Sequence, residues 1–245
     1  MSKVAVIVET RENDALPFVI NNVMSILPDD WSLQIFHGSN NLDYIKEVIR
    51  KDELLEGLED TVFTNLGIDS ITADDSSLEI MLTEDFWNKV VGETVLYFEC
   101  DSMLCPNSEY KVEDFEHFDY IGGYWGNQLD MLDNDYSKVM NGGLSIRKKS
   151  FMLDIIKNEL QPYLDRGGNP CEDYFVTDRI RNRPKVRDVL NFSIDNGYMY
   201  PLDGKAPFGL HKPWGVNPAK GHGKYYEDII RVCEQVKELE ILNGV

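Results

Sequence analysis

The chain has 245 residues, 42% of them hydrophobic and 11% aromatic, enough to bury one substantial core and so to build one compact domain. Its formal net charge of −19 repels phosphate backbones and anionic lipid, which argues against nucleic acid or a membrane surface as partner. Cys100, Cys105, Cys171 and Cys233 form no CxxC pair, so free thiols in a reducing compartment are expected, not disulfides or a structural zinc. No apolar run nears the roughly 18–20 residues that cross a bilayer, and the N-terminus lacks a secretory pattern, so the expectation is a cytoplasmic protein with no integral membrane association.

Along the chain, Lys3 to Val8 is a β-branched apolar run that gives way to polar residues at Glu9-Thr10-Arg11, the pattern of a buried strand meeting a loop. Leu16, Val19, Ile20, Val23 and Leu27 recur at helical spacing between Pro17 and Pro28, and a second strand is predicted from Trp31 to Phe36. Strand, helix and strand in this order form a βαβ unit, with ligand loops at the carboxyl ends of a parallel sheet. Two further units follow: a helix over Leu42–Ile49 before a strand at Thr61–Thr64, and a helix over Leu78–Val91 before Thr94–Phe98. Beyond residue 100 the alternation loosens, with short apolar pieces at Tyr120-Ile121 and Leu144–Ile146 and a helix near Phe151–Leu160. Tyr225–Leu242 has the spacing of a single amphipathic helix.

Five segments carry residue types suited to chemistry. Glu99 and Asp101 follow the Thr94–Phe98 strand, two residues apart and therefore on one face, where hard carboxylate oxygens suit Mn²⁺ or Mg²⁺; an acid after a strand is more often a helix cap. Asp119–Gly126 combines glycines with Tyr124 and Trp125, rings able to stack on a sugar, or else a packed turn. Asn141-Gly142-Gly143 leads into Leu144–Arg147, as where a bulky ligand leaves no room for a side chain, though a bulge explains the glycines equally. Glu172-Asp173 is expected to open a helix, where acids also simply stabilise the first turn. His211-Lys212 sets an imidazole beside a cation, a pair able to hold a metal and a diphosphate together, though a lone surface histidine is commoner.

Taken in order over residues 4 to 214, Val8–Arg11, Phe98–Ser102, Asp119–Gly122 with Trp125, Asn141–Arg147, Glu172-Asp173 and His211-Lys212-x-Trp214 resemble the GT-A type glycosyltransferase-like proteins of bacteria and large DNA viruses. The resemblance implies an α/β fold of GT-A type: one domain over 1–245 with a mainly parallel, Rossmann-like sheet flanked by helices. Residues up to about 102 would be the nucleotide-sugar-binding half, and about 103–245 an irregular acceptor-binding half. It implies that Thr10 and Arg11 contact the nucleotide, and that Glu99 and Asp101 stand for an Asp-x-Asp motif with Glu in the first place. Asp101 and His211 are then metal ligands, with Glu99 beside them and Lys212 near the diphosphate. Tyr124, Trp125, Asn141, Gly142, Gly143 and Trp214 would line the substrate. Asp173 would be the general base of an inverting transfer from a nucleotide-diphosphate sugar, UDP foremost, to a glycan or other hydroxyl acceptor, with Glu172 orienting acceptor hydroxyls. The compartment would be the cytoplasm, the host's for a viral protein.

Three rivals are weaker. A sugar-nucleotide nucleotidyltransferase uses a glycine-rich phosphate loop after its first strand, and Glu9–Asp14 contains no glycine. A nuclease would meet its polyanionic substrate with an acidic protein. An inactive nucleotide- or carbohydrate-binding module would have little use for Glu172-Asp173 and His211 together.

Overall fold

The computed structural model describes residues 2–51, 60–69, 71, 80–124, 139–197, 202–215 and 221–245. The first half follows the alternation of its sequence. Strand β1 (Lys3–Glu9) is followed by helix α1 (Leu16–Ile26), β2 (Trp31–His37), α2 (Leu42–Lys51), β3 (Val62–Asn65), α3 (Glu84–Lys89) and β4 (Thr94–Phe98). These strands lie in the order β3-β2-β1-β4 and are all parallel. Their near-continuous apolar runs are those of strands covered on both faces: Val4, Ala5, Val6 and Ile7, and Val95 to Phe98, are all buried. The helix expected over Leu78–Val91 is interrupted: Ile80 and Met81 are helical, the chain breaks at Leu82-Thr83, and α3 starts afresh with the Thr83 hydroxyl accepting from the Phe86 N–H at 3.2 Å; Leu78 and Glu79 lie outside the described residues.

The second half departs from a purely parallel plan. Strand β5 (Ser102–Leu104), β6 (Tyr120–Tyr124), β7 (Met140–Lys148), β8 (Ser193–Asp195) and β9 (Gly209–His211) extend the sheet to nine strands in the order β3-β2-β1-β4-β7-β6-β8-β9-β5. Strand β7 runs antiparallel to both β4 and β6, and β9 antiparallel to β5, while β8 is parallel to both its neighbours. The sheet is therefore mixed: a four-strand parallel block continued by a mixed one. Between β7 and β8 run α4 (Lys149–Ile155), a wider helical turn (Ile156–Leu160), α5 (Gln161–Asp165), α6 (Glu172–Thr177) and α7 (Val186–Phe192). The C-terminal segment is two helices, α8 (Tyr226–Val232) and α9 (Val236–Leu242), where one was expected. Cys233 leaves helical geometry at φ −145°, ψ 79°, and the break lets Ile229, Val236 and Leu239 all reach the core.

One connection shapes the sheet. Only Glu99, Cys100 and Asp101 join β4, fourth in the order, to β5, ninth. Four residue steps reach at most about 14 Å, whereas five strand spacings in a flat sheet span about 24 Å. The sheet must curl until its far edge returns beside β4. Strand β5 is at that edge, and its backbone is covered by Asn22 of α1, which donates to the Leu104 carbonyl at 2.9 Å and accepts from its N–H at 2.7 Å. Among the described residues no helix is long and apolar enough to cross a membrane.

Candidate functional site

The curl gathers a cleft of about 570 Å³ at the carboxyl ends of β1 and β4, the usual ligand position of an open α/β sheet. Its first wall is the loop after β1. There the buried Glu9 carboxylate accepts from the Arg11 N–H and Nε, each at 2.9 Å, and from Arg11 Nη2 and Asn13 Nδ2, also at 2.9 Å. Asn41 ties the same loop down by donating to the Glu9 and Arg11 carbonyls. Arg11 thus lies at the cleft with its guanidinium committed to Glu9, and the Thr10 hydroxyl accepts from the Ile71 N–H at 2.8 Å. The opposite wall includes Leu242 and Asn243 at the end of α9, where Asn243 donates to the Cys100 carbonyl at 3.0 Å. Residues from both ends of the chain therefore line one cleft.

Glu99 and Asp101 line its floor, and the buried His211 stands directly beneath them, each of the three offering a ligand atom within 4.8 Å of the others. His211 Nε2 is 3.2 Å from Asp101 Oδ1 and 3.3 Å from Glu99 Oε2. Both Nε2 and Asp101 Oδ1 are sealed from solvent without a hydrogen-bond partner, an arrangement that costs free energy unless something bridges them. Lys212 follows in the left-handed region, φ 45°, which aims its Nζ back to 3.4 Å from Asp101 Oδ2. Burial opposes ionisation here, but His211 and Lys212 hold the Asp101 carboxyl below the usual range. Burial likewise opposes charging of His211, and Asp101, Asp195 and Glu99 overcome it, raising the imidazole well above its ordinary value. The floor is thus a compact negative site that already attracts a proton. Two hard carboxylates and an imidazole, with two orphaned atoms face to face, fit a divalent cation of the Mn²⁺ or Mg²⁺ kind.

A second cluster lies behind β7. Asp173, on the first turn of α6, accepts from the Gly142 N–H through Oδ1 at 2.8 Å and from Asn141 Nδ2 through Oδ2 at 3.4 Å. Glu172 is fully buried and pairs with Arg147. The Arg147 guanidinium sits among the rings of Tyr97, Tyr120 and Trp87 at 5.0, 5.3 and 5.9 Å from their centroids, and also donates to the Gly142 carbonyl and Ser145 hydroxyl. Burial and the adjacent Glu172 carboxylate push Asp173 well above the usual carboxylate range.

The glycine pair joins the two clusters. A Cβ on Gly142 would lie 2.5 Å from Arg147 Nη2 and 3.0 Å from Asp173 Oδ1, while one on Gly143 would lie 2.5 Å from His211 Cε1. Neighbouring residues of β7 thus separate Asp173 from His211. Tyr97 links them from the side, its hydroxyl 3.4 Å from Glu99 Oε1 and its ring under Arg147.

Thr10, Arg11, Glu99, Asp101, His211 and Lys212 therefore converge, with Asn141, Gly142, Gly143 and Asp173 adjoining them. Other expectations meet obstacles. Tyr124 and Trp214 are only 2% and 4% exposed, so neither offers the open ring face that stacking on a sugar requires, and Trp125 lies outside the described residues. Glu172 turns inward to Arg147, away from any position where it could order acceptor hydroxyls. Two neighbours of these groups carry no local signal in the sequence. Arg147 pairs with an acid 25 residues away, and Asp195 hydrogen-bonds His211 from a three-residue strand too short to give a periodic signal.

Nine strands in this order, with the acids at the end of β4 beneath the cleft, form the fold of the GT-A glycosyltransferases. The galactosyltransferase LgtC, solved with donor and acceptor sugar analogs, superposes over 99% of this chain and 96% of its own with a TM-score of 0.59 at 10% identity. The glycosyltransferase GlyE of Streptococcus pneumoniae TIGR4 matches 99% of the chain with a TM-score of 0.54 at 12% identity. The bifunctional WbbM matches 98% with 0.55 at 9% identity. This chain spans 63% of GlyE and 52% of WbbM, less than two thirds of either. By sequence, the chain belongs to the DUF5672 family, described as a protein of unknown function, whose model matches residues 61–211. No curated protein matches it.

Proposed function

We propose that this chain is a metal-dependent, inverting glycosyltransferase that moves a sugar from a nucleotide-diphosphate donor, UDP foremost, to a glycan or other hydroxyl acceptor in the cytoplasm. The observation that carries the reading is the floor of the cleft. Glu9, Glu12, Asp14, Glu99 and Asp101 face only Arg11 and Lys212 among its described charged residues, and Arg11 is already spent on Glu9. Such a surface repels a bare diphosphate and accepts one together with a cation.

Glu99, Asp101 and His211 would hold Mn²⁺ or Mg²⁺, which when bound supplies Lewis-acid stabilisation of the charge gathering on the departing diphosphate. Lys212 adds a positive charge beside the same oxygens. Thr10 and the loop after β1 contact the nucleotide. Residues 1–102 thus supply most of the donor side, with His211 and Lys212 reaching in from 103–245, the half assigned to the acceptor. Asp173 is only 4% exposed; with Oδ1 fixed by the Gly142 N–H and Oδ2 at the long Asn141 contact, Oδ2 is the oxygen assigned the acceptor hydroxyl's proton. Its raised proton affinity makes it a stronger base than an exposed aspartate. Arg147 and Glu172 hold that carboxylate in place from behind.

The test is a panel of nucleotide sugars with and without Mn²⁺, read by thermal shift and by release of free nucleotide. Metal-dependent stabilisation and turnover are expected. Asp173→Asn should lose transfer by about 10²–10⁴-fold while binding UDP and Mn²⁺ as the wild type does. Absence of any metal-dependent nucleotide-sugar binding overturns the proposal, and binding without turnover makes the protein a binding module.

A further inference from the structure

His211 is gripped at both ends of its ring. In the parallel β8–β9 register Asp195 lies directly opposite it, and Asp195 Oδ1 accepts from Nδ1 at 2.7 Å. Both residues are almost wholly buried, at 1% and 2% exposure. The second oxygen of Asp195 accepts from the Asn196 side-chain amide. Asn196 stands in the left-handed region at φ 57°, and its N–H donates to the His211 carbonyl at 3.0 Å. Beneath the ring, Gly143 leaves no space between backbone and imidazole. Nε2 is left pointing at Asp101 and Glu99, buried and without a hydrogen-bond partner.

We propose that Asp195 is a positioning residue: by accepting the Nδ1 proton it fixes the tautomer and rotation of His211, so that Nε2 is the nitrogen presented to a divalent cation. The inference rests on the metal-dependent reading above. A half-turn of the ring would exchange Nδ1 with Cδ2 and Nε2 with Cε1, turning a carbon toward the carboxylates and breaking the bond to Asp195. A buried carboxylate is the group that makes this choice one-sided, since it only accepts while ionised, and partners of this kind both orient a metal-binding imidazole and raise its basicity.

The experiment compares wild type, Asp195→Ala and Asp195→Asn as full-length proteins. Mn²⁺ is titrated alone and with UDP, following free Mn²⁺ by electron paramagnetic resonance, and the His211 ring nitrogens are assigned by ¹⁵N correlation spectra in Mg²⁺. Asp195→Ala should weaken Mn²⁺ binding by about 10- to 100-fold. Asp195→Asn replaces the accept-only group by an amide that can also donate, and it should weaken Mn²⁺ binding as well, by no more than the alanine variant does. The wild-type spectrum should show a protonated Nδ1 and a bare Nε2. Wild-type affinity in a folded Asp195→Ala or in Asp195→Asn, or a bare Nδ1 in wild type, each overturns the positioning role while the metal-dependent reading stands. If Asp195→Ala does not fold, the asparagine variant and the wild-type spectrum decide the matter. A wild type that takes up neither Mn²⁺ nor Mg²⁺ overturns both.

Discussion

Gly143→Ala is the smallest change that probes the cleft floor. The added methyl would stand 2.5 Å from His211 Cε1, 2.7 Å from Cδ2 and closer still to Nε2, against about 3.5 Å for an ordinary carbon contact. Roughly 1 Å must be found. It cannot come cheaply from the ring, which is held by Asp195 at 2.7 Å, nor from β7, whose Gly143 carbonyl accepts from the Glu99 N–H at 3.0 Å. Overpacking of this size costs about 1–3 kcal/mol. Whichever side yields, Nε2 moves relative to Asp101 and Glu99, and Mn²⁺ affinity should fall by about 10-fold or more, within the range for disturbed ligand orientation. Urea unfolding reads the first effect and Mn²⁺ titration with UDP the second. Gly142→Ala is the control, since its methyl would strike Arg147, Glu172 and Asp173 instead; it should spare Mn²⁺ binding and impair transfer. A Gly143→Ala protein with wild-type stability and wild-type Mn²⁺ affinity would refute the claim that this glycine exists to make room for the imidazole.

Two further outcomes concern the cluster behind β7. Arg147→Met leaves Glu172 as an uncompensated buried charge and should cost about 3–5 kcal/mol, whereas Arg147→Met with Glu172→Leu should recover most of it; denaturation in urea checks both, and a double variant no better than the single refutes the pairing as the cause. Asp173 sets a pH dependence of defined sign. Its carboxyl is raised well above the ordinary 3.8 by burial and by Glu172, so the folded chain binds that proton more tightly than the unfolded chain does. Its contribution to stability is complete below pH 3.8 and is lost as pH rises toward the raised value. Asp173→Asn should therefore be more stable than wild type at pH 7, with the difference closing on acidification, as unfolding free energies across a pH series would show.

The parallel block was legible because each strand is an apolar run that stops where its loop begins, and each helix repeats at 3.6. The acids at the end of β4 were legible for the same reason: their two-residue spacing sits on a recognisable strand. His211-Lys212 stood out by residue type. Beyond residue 100 the signal weakens because the strands are short or enter the sheet out of sequence order. Strand β7 inserts antiparallel between β4 and β6, a pairing that no local pattern encodes, and the break at Cys233 is set by what two helices pack against. Tyr124 was read as a sugar platform because an aromatic beside glycine suits either a site or a core, and only burial separates the two. Asp195 and the Arg147–Glu172 pair acquire meaning only from residues distant in the chain.

The three-residue bridge from the middle of the sheet to its far edge has a consequence for how competence arises during folding. The parallel block can assemble from sequence neighbours, and Asn22 of α1 holds the far end of the bridge at Leu104, yet the block carries only two of the three groups on the cleft floor. The third arrives with β9, which pairs with β5 and brings His211. If the three groups bind a cation as proposed, the site is complete only when that strand, late in the chain, has docked.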